Sequence, residues 1–383
     1  MKAIYLDNNS TTMIDPRVLD KMMPYMTVDY GNASSSEHSY GWISNEAVNN
    51  SREQISKLIN CHPNEIFFTS GATEANNIAI LGSIDLNNSN THSITIKTEH
   101  KSVLDIFKHL SKKEINTTYL NVRNDGIVDL GEIENAINSE TKLISVMMAN
   151  NEIGVIHPIE EISRICRKNN ITLHVDAAQA LGKIKLDLMK MDIDLMSLSS
   201  HKIYGPKGIG ALYINKKTMK NKIKPIFFGG GQEQGIRPGT SAVHNIVGFG
   251  EACNIINNEL EQNYTLINSL TNLMISKLSK GFSQIIINGS TEIRIPGNLN
   301  ISFPNLKQEP LIQKMRMVAV SSGSACTTAN PEPSHVLKAL GLSKSLISST
   351  IRIGIGKFNT EKEIECAADY ILEIVNKLKI EKR

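Results

Sequence analysis

The sequence predicts an α/β protein: a large domain on a mostly parallel sheet with helices on both faces, then a smaller α/β domain. Three observations carry this. Apolar strand-like runs alternate with helical patterns from about residue 50 to about residue 215. Each polar motif in that stretch falls just after a run, where ligands bind in such sheets. Residues 241–280 contain no proline, so they read as one long helix, or two, leading into a second set of strands.

The elements follow in order. Residues 65–69 form a short strand, and Ser70-Gly71-Ala72-Thr73 turns from it into a helix running to about Leu81. Residues 93–97 are the next strand, with a helix through 103–110 after it. A strand at 142–148 and a helix at 159–168 come next, and strands at 171–175, 193–198 and 209–214 complete the set. Beyond the long helix, 285–287, 299–303 and 351–353 read as strands. The large domain is placed at 15–255 and the small one at 1–14 together with 256–383. Residues 31–39 and 321–333 are rich in turn formers and read as active-site loops.

Composition narrows the class. Hydrophobic residues make up 40% and charged residues 21%, as in an ordinary soluble globular protein. A net charge of +3 with no arginine-rich tail argues against direct nucleic-acid binding. No segment approaches the ~18 consecutive apolar residues of a membrane span, and the N-terminus lacks the apolar core of a signal peptide. The five cysteines, Cys61, Cys166, Cys253, Cys326 and Cys366, are odd in number, widely spaced and without a CxxC pair. That pattern speaks against a disulfide framework and a zinc site, and for a reducing compartment, by default the cytoplasm.

The chemistry sits in the strand-end motifs. Lys202, in Ser199-Ser200-His201-Lys202, follows one strand end, and Asp176, in Asp176-Ala177-Ala178-Gln179, follows another. A lysine and an aspartate placed so suit pyridoxal phosphate: the amine bonds the aldehyde and the carboxylate holds the ring nitrogen protonated. Gln179 is a donor for the ring's phenolate oxygen. Ala72 and Thr73 open a helix whose N–H groups suit a phosphate, although an ordinary helix cap reads equally well. Ser199 and His201 can reach the same phosphate. His100 can stack on the ring and move protons. Arg352 lies inside a strand, where its charge either pairs with a substrate carboxylate or forms a structural ion pair. Cys326 lies in Ser321-Ser322-Gly323-Ser324-Ala325-Cys326-Thr327-Thr328, a small polar stretch suited to an exposed loop with a nucleophilic thiol. The other four cysteines read as small buried hydrophobes.

Taken together these segments resemble the NifS/IscS-type cysteine desulfurases, fold-type I pyridoxal phosphate enzymes of the class V aminotransferase family. The likeness runs nearly end to end through Tyr5-Leu6-Asp7-Asn8-Asn9-Ser10-Thr11-Thr12, Thr98-Glu99-His100, Asn150-Asn151-Glu152-Ile153-Gly154, the Asp176 and Lys202 motifs, Gly229-Gly230-Gly231-Gln232-Glu233 and Arg237-Pro238-Gly239-Thr240. The resemblance implies a seven-stranded, mostly parallel sheet in the large domain. It implies that Lys202 bonds the cofactor, Asp176 and Gln179 hold its ring, His100 stacks on it, and Ala72, Thr73, Ser199 and His201 hold its phosphate. Thr240 is then expected to reach the phosphate of a neighbouring subunit, which requires a homodimer. Asn151 and Arg352 bind polar groups of cofactor or substrate, Arg352 taking the carboxylate of L-cysteine. Cys326 receives the sulfur as a persulfide, leaving L-alanine, and passes it to an acceptor such as an IscU/NifU-type scaffold or a tRNA thiolation enzyme. No resident metal is implied, beyond Cys326 as a transient iron–sulfur ligand. A selenocysteine lyase or a cysteine sulfinate desulfinase is the alternative within the same cofactor chemistry. A chain stopping at Arg383 is expected to favour a NifS-like mode of docking.

Overall fold

A computed structural model of the chain describes residues 3–86, 90–219, 223–306, 311–322 and 333–379. Seven strands form the large sheet among these residues: β1 (Ile66–Thr69), β2 (His92–Ile96), β3 (Asn116–Leu120), β4 (Thr141–Ser145), β5 (Thr172–Asp176), β6 (Leu195–Ser199) and β7 (Gly210–Ile214). Their order is β1-β7-β6-β5-β4-β2-β3. Only β7 runs against its neighbours, β1 and β6, so the other six end at the same edge of the sheet. Helices α1 (Ser39–Ile59), α2 (Ala72–Ser83), α3 (Lys101–Ser111) and α4 (Ile159–Lys168) supply its apolar cover. Strands covered on both faces must be apolar throughout, and β1, β6 and β7 are buried at every position.

The expected strands and helices are present, with ends shifted by a few residues. β3 is the strand that apolar runs do not reveal. Its Asn-Thr-Thr-Tyr-Leu sequence is mostly polar because this edge strand, unlike the other edge strand β1, is only half-buried along most of its length. The proline-free stretch is one helix, α5 (Val243–Gly281). Its first half packs Ile246, Phe249 and Ile256 into the core of the large sheet, and its second half packs Leu270, Met274 and Leu278 into a second core. That second core covers an antiparallel sheet of order β10-β9-β8, made of β8 (Ile286–Ile287), β9 (Asn298–Ser302) and β10 (Thr350–Gly354). Helices α6 (His335–Ala339) and α7 (Glu361–Leu378) complete this part. The N-terminal residues Ile4 and Tyr5 pair with Val318 and Ala319, which draws Asp7 to Thr11 across to the large sheet.

One core residue links the central strands. His174 on β5 is fully buried between the Ser145 hydroxyl on β4 (2.8 Å from Nδ1) and the Ser197 hydroxyl on β6 (3.0 Å from Nε2). Burial pushes it down to about 4, and does the same to His157. Both are neutral in the folded state, while unfolded they titrate near ~6.5. The folded state therefore binds fewer protons. Stability is complete above ~6.5 and is lost as pH falls toward 4, by about 3 kcal/mol per histidine at the limit. Urea midpoints measured from pH 7 to 4 are expected to fall steeply through that window, and a flat profile would contradict this account.

Candidate active site

A cavity of about 980 Å3 lies at the carboxyl edge of the large sheet. It collects residues that follow β1, β2, β4, β5 and β6, together with the N-terminal segment and β10. Lys202, His100, Ala72, Thr73, Asn151, Asp176, Gln179, Ser199, His201 and Arg352 all line it. Of the two turn-rich segments, 321–333 contributes Ser321, Ser322 and Pro333, whereas 31–39 contributes nothing to this wall.

Lys202 ends the short turn Ser200–Lys202 that leaves β6. Its Nζ donates to two main-chain carbonyls of the N-terminal segment, Asn9 at 2.8 Å and Ser10 at 2.6 Å. Burial and the nearby positive charge of Arg352 bring its pKa down to about 8, against the opposing pull of Asp7 and Asp176. A useful share of the amine is thus neutral, and nucleophilic, near physiological pH.

Asp176, at the end of β5, is buried with both oxygens engaged. Oδ2 accepts from Asn76 Nδ2 and Oδ1 from the Ala178 N–H, each at 2.9 Å. These bonds fix the plane of the carboxylate, which suits it to pair with a protonated ring nitrogen. Gln179 donates from Nε2 to the Asn9 carbonyl (2.7 Å) and accepts at Oε1 from Lys183 (2.7 Å).

His100 is the N-cap of α3. The Ser102 N–H donates to its Nδ1 at 3.1 Å, so in the neutral ring the proton sits on Nε2. Burial lowers its pKa, aided by Lys202 and opposed by Asp176. One end of the cavity is built from the start of α2. Gly71, at φ +153, is the N-cap and offers no capping side chain, which leaves the N–H groups of Ala72 and Thr73 to an outside acceptor. A side chain at Gly210 would strike the Gly71 main chain at 2.7 Å, so two glycines permit this turn to lie against β7. Beside it His201 is pushed down to about 4 by burial and by Lys202, Lys207 and Lys183. It is held neutral, its Nδ1 3.1 Å from the Thr11 hydroxyl.

At the opposite side Arg352 reaches the cavity from β10. It donates to Asp7 Oδ1 (2.7 Å) and to the Asn151 carbonyl (3.0 Å), and its buried Nε–H has no partner among the described residues. The structural ion pair anticipated as one reading is therefore present. Guanidinium capacity remains beyond it, since the group carries five N–H donors. Thr240 is exposed and does not line this chain's cavity. Cys326 lies outside the described residues. Of the other cysteines, Cys166 and Cys253 are buried, which pushes the Cys166 thiol up to about 12 and Cys253 higher still. Cys61 is half-buried, and Cys366 is exposed on α7, contrary to the expectation that all four are buried.

The chain matches the aminotransferase class-V family over residues 4–366. It belongs to that family. It is 46% identical over 379 residues to a mitochondrial cysteine desulfurase of Arabidopsis thaliana, covering 99% of this chain and 83% of that protein. It is likewise 46% identical over 377 residues to the cysteine desulfurase IscS of Rickettsia bellii, covering 98% and 92%. Among solved structures it superposes on a NifS-like protein with a TM-score of 0.90, at 37% identity, covering 98% of this chain and all of that one. SspA in complex with cysteine gives 0.83 at 34%, covering 93% of this chain. The cofactor of this family is pyridoxal phosphate. The donor set fits it: uncapped N–H groups at one end for the phosphate, a fixed carboxylate for the ring nitrogen, and a buried amine for the aldehyde.

Four contributors to this geometry escaped sequence reasoning. Asn76 is a buried polar residue on the apolar face of α2, beside Ala75, Ile78 and Ala79, and that break in the pattern was the available signal. Asp7, Asn9 and Ser10 lie in the segment Tyr5 to Thr12, but their contacts to Arg352 and Lys202 span half the chain or more and leave no local trace.

Proposed function

We propose that this protein is a cysteine desulfurase, converting L-cysteine to L-alanine and passing the sulfur to Cys326 as a persulfide. The observation that carries the reading is the meeting in one cavity of the Lys202 amine, the fixed Asp176 carboxylate and the Arg352 guanidinium. The relatives it resembles over nearly its whole length bear the same name. Bound pyridoxal phosphate supplies an electron sink that makes the α-hydrogen of an attached amino acid acidic.

The side chains do the rest. Arg352 takes the substrate carboxylate and fixes which bond at the α-carbon faces the sink. Lys202 would hold the cofactor through its aldehyde, and its amine, brought down to about 8, is the base placed to carry the α-proton. His100 presents Nε2–H to the cavity and moves a proton to or from the substrate. The Cys326 thiolate attacks the substrate sulfur, the Cβ–S bond breaks, and its electron pair remains on Cβ, which takes up a proton. The balance is one L-cysteine and one enzyme thiol giving one L-alanine and one enzyme persulfide, with no outside oxidant or reductant.

The same reading makes the protein a homodimer. Thr240 stands exposed and away from its own cavity, and a run of exposed apolar side chains, including Val28, Tyr30 and Trp42, invites cover. The division at 15–255 against 1–14 and 256–383 is supported by two separate cores, with Val18 to Ile255 in the main one and Leu6 and Ile267 to Val375 in the other, while Ile256 and Ile295 cross the boundary into the main core. An IscU/NifU-type scaffold or a tRNA thiolation enzyme in the cytoplasm is the acceptor we assign to the persulfide. No helix among the described residues is long and apolar enough to cross a membrane.

Cys326→Ser tests the reading. After one turnover with L-cysteine, the wild-type protein is expected to gain the mass of one sulfur atom and release one alanine. The variant should keep the absorbance of the bound cofactor and gain no sulfur. Full persulfide and alanine yields from the variant would sink the proposal.

A further inference from the structure

The loop 229–240 is fastened at two points to the strand, turn and helix that form the phosphate-like end of the cavity. The first fastening is Glu233. It sits in left-handed backbone at φ 47, followed by Gln234 at φ 55, conformations that such residues keep only when their surroundings hold them. Its Oε2 accepts from the Phe68 N–H at 2.8 Å, and its carboxylate pairs with Arg52 at 2.9 and 3.0 Å. Arg52 in turn donates to the Ile66 carbonyl and lies 4.7 Å over the Phe68 ring. β1 is one of the two edge strands of the sheet, so this pair occupies main-chain groups that no further strand reaches.

The second fastening is Arg237. Its Nε donates to Glu74 Oε1 at 3.0 Å, and Glu74 Oε2 accepts from the Ser70 N–H. Glu74 lies in the first turn of α2 and is mostly buried. A carboxylate there favours the helix dipole. It also stands beside the Ala72 and Thr73 N–H groups, where it repels any anion. Arg237 is the cation that cancels it.

We propose that Arg237 is a positioning residue for the cofactor phosphate: it neutralises Glu74 and ties the loop 229–240 to the turn 70–73, so that the anion-binding end keeps both its shape and its positive potential. This rests on the pyridoxal phosphate reading of the cavity. Two ligands separate it from general stability, because pyridoxal has the same ring and aldehyde as pyridoxal phosphate but no phosphate.

Both dissociation constants are measured on apo-protein by equilibrium titration. Arg237→Met is expected to weaken pyridoxal phosphate about tenfold, the scale of one unbalanced charge beside a partly buried anion, and to leave pyridoxal within about twofold. Glu74→Gln added to that variant should recover most of the loss, since it removes the charge left unbalanced. Equal weakening of both ligands, or of neither, overturns the proposal. Glu74→Gln alone serves if Arg237→Met does not fold. It should hold or raise the preference for the phosphorylated ligand, and a fall overturns the proposal. A wild-type protein that shows no such preference overturns the cofactor reading itself.

Discussion

Lys202→Ala is expected to lower turnover by at least about a thousandfold, with the fold kept. The amine has two roles in the proposed reaction. On the proposed reading it would be the nucleophile for the cofactor aldehyde and the base beside the α-hydrogen of the substrate. Its setting prepares it for both. Burial and Arg352 bring it to about 8, and the carbonyls of Asn9 and Ser10 aim it into the cavity. Losing those two bonds costs about 1 kcal/mol each, a modest change in melting temperature. Lys202→Arg separates charge from chemistry, since arginine keeps the cation but stays protonated and cannot form the imine. Both variants should lose the absorbance of a lysine Schiff base, and added methylamine should restore part of the activity of Lys202→Ala. Turnover within tenfold of wild type in either variant would refute the assignment.

The second large effect is on substrate binding. Arg352→Lys is expected to raise KM for L-cysteine by roughly ten- to a hundredfold, with a smaller change in kcat. A charge-assisted pair is worth about 1.5–3 kcal/mol, and lysine cannot reproduce the planar fork. Arg352 also holds Asp7 and the Asn151 carbonyl, so it has a structural duty. The two duties give different readouts. A purely structural arginine lowers the melting temperature and leaves KM where it was. A carboxylate-binding arginine raises KM for L-cysteine far more than it changes kcat. Arg352→Gln strands the Asp7 carboxylate, so it should lose stability as well as affinity.

Much of this site was legible because it is made of strand-end motifs. Ser70 to Thr73, His100, Asp176 and Lys202 each follow an apolar run, and all strands but β7 finish at the same edge of the sheet. Arg352 stood out as a charge inside a strand. The polar edge strand β3 was not legible from its own residues, because an edge position does not demand the apolar run that marks a central strand. Cys366 misled for a similar reason: composition says that cysteines tend to be buried, and only the packing of α7 says which side of the helix it occupies.

By itself, then, the sequence determined the α/β class, the strand-end residues and the kind of chemistry they suit, since these follow from local patterns of apolar and polar residues. Only the tertiary structure decided which ends meet. The order β1-β7-β6-β5-β4-β2-β3 is not the order of the chain, and it brings Asp176 and Lys202 side by side. The N-terminal segment, fastened beside β10, carries Asn9 and Ser10 to Lys202 and Asp7 to Arg352. The reactivity of Lys202 depends on burial and on charges from remote parts of the chain. Both act through space, and no spacing along the sequence records them.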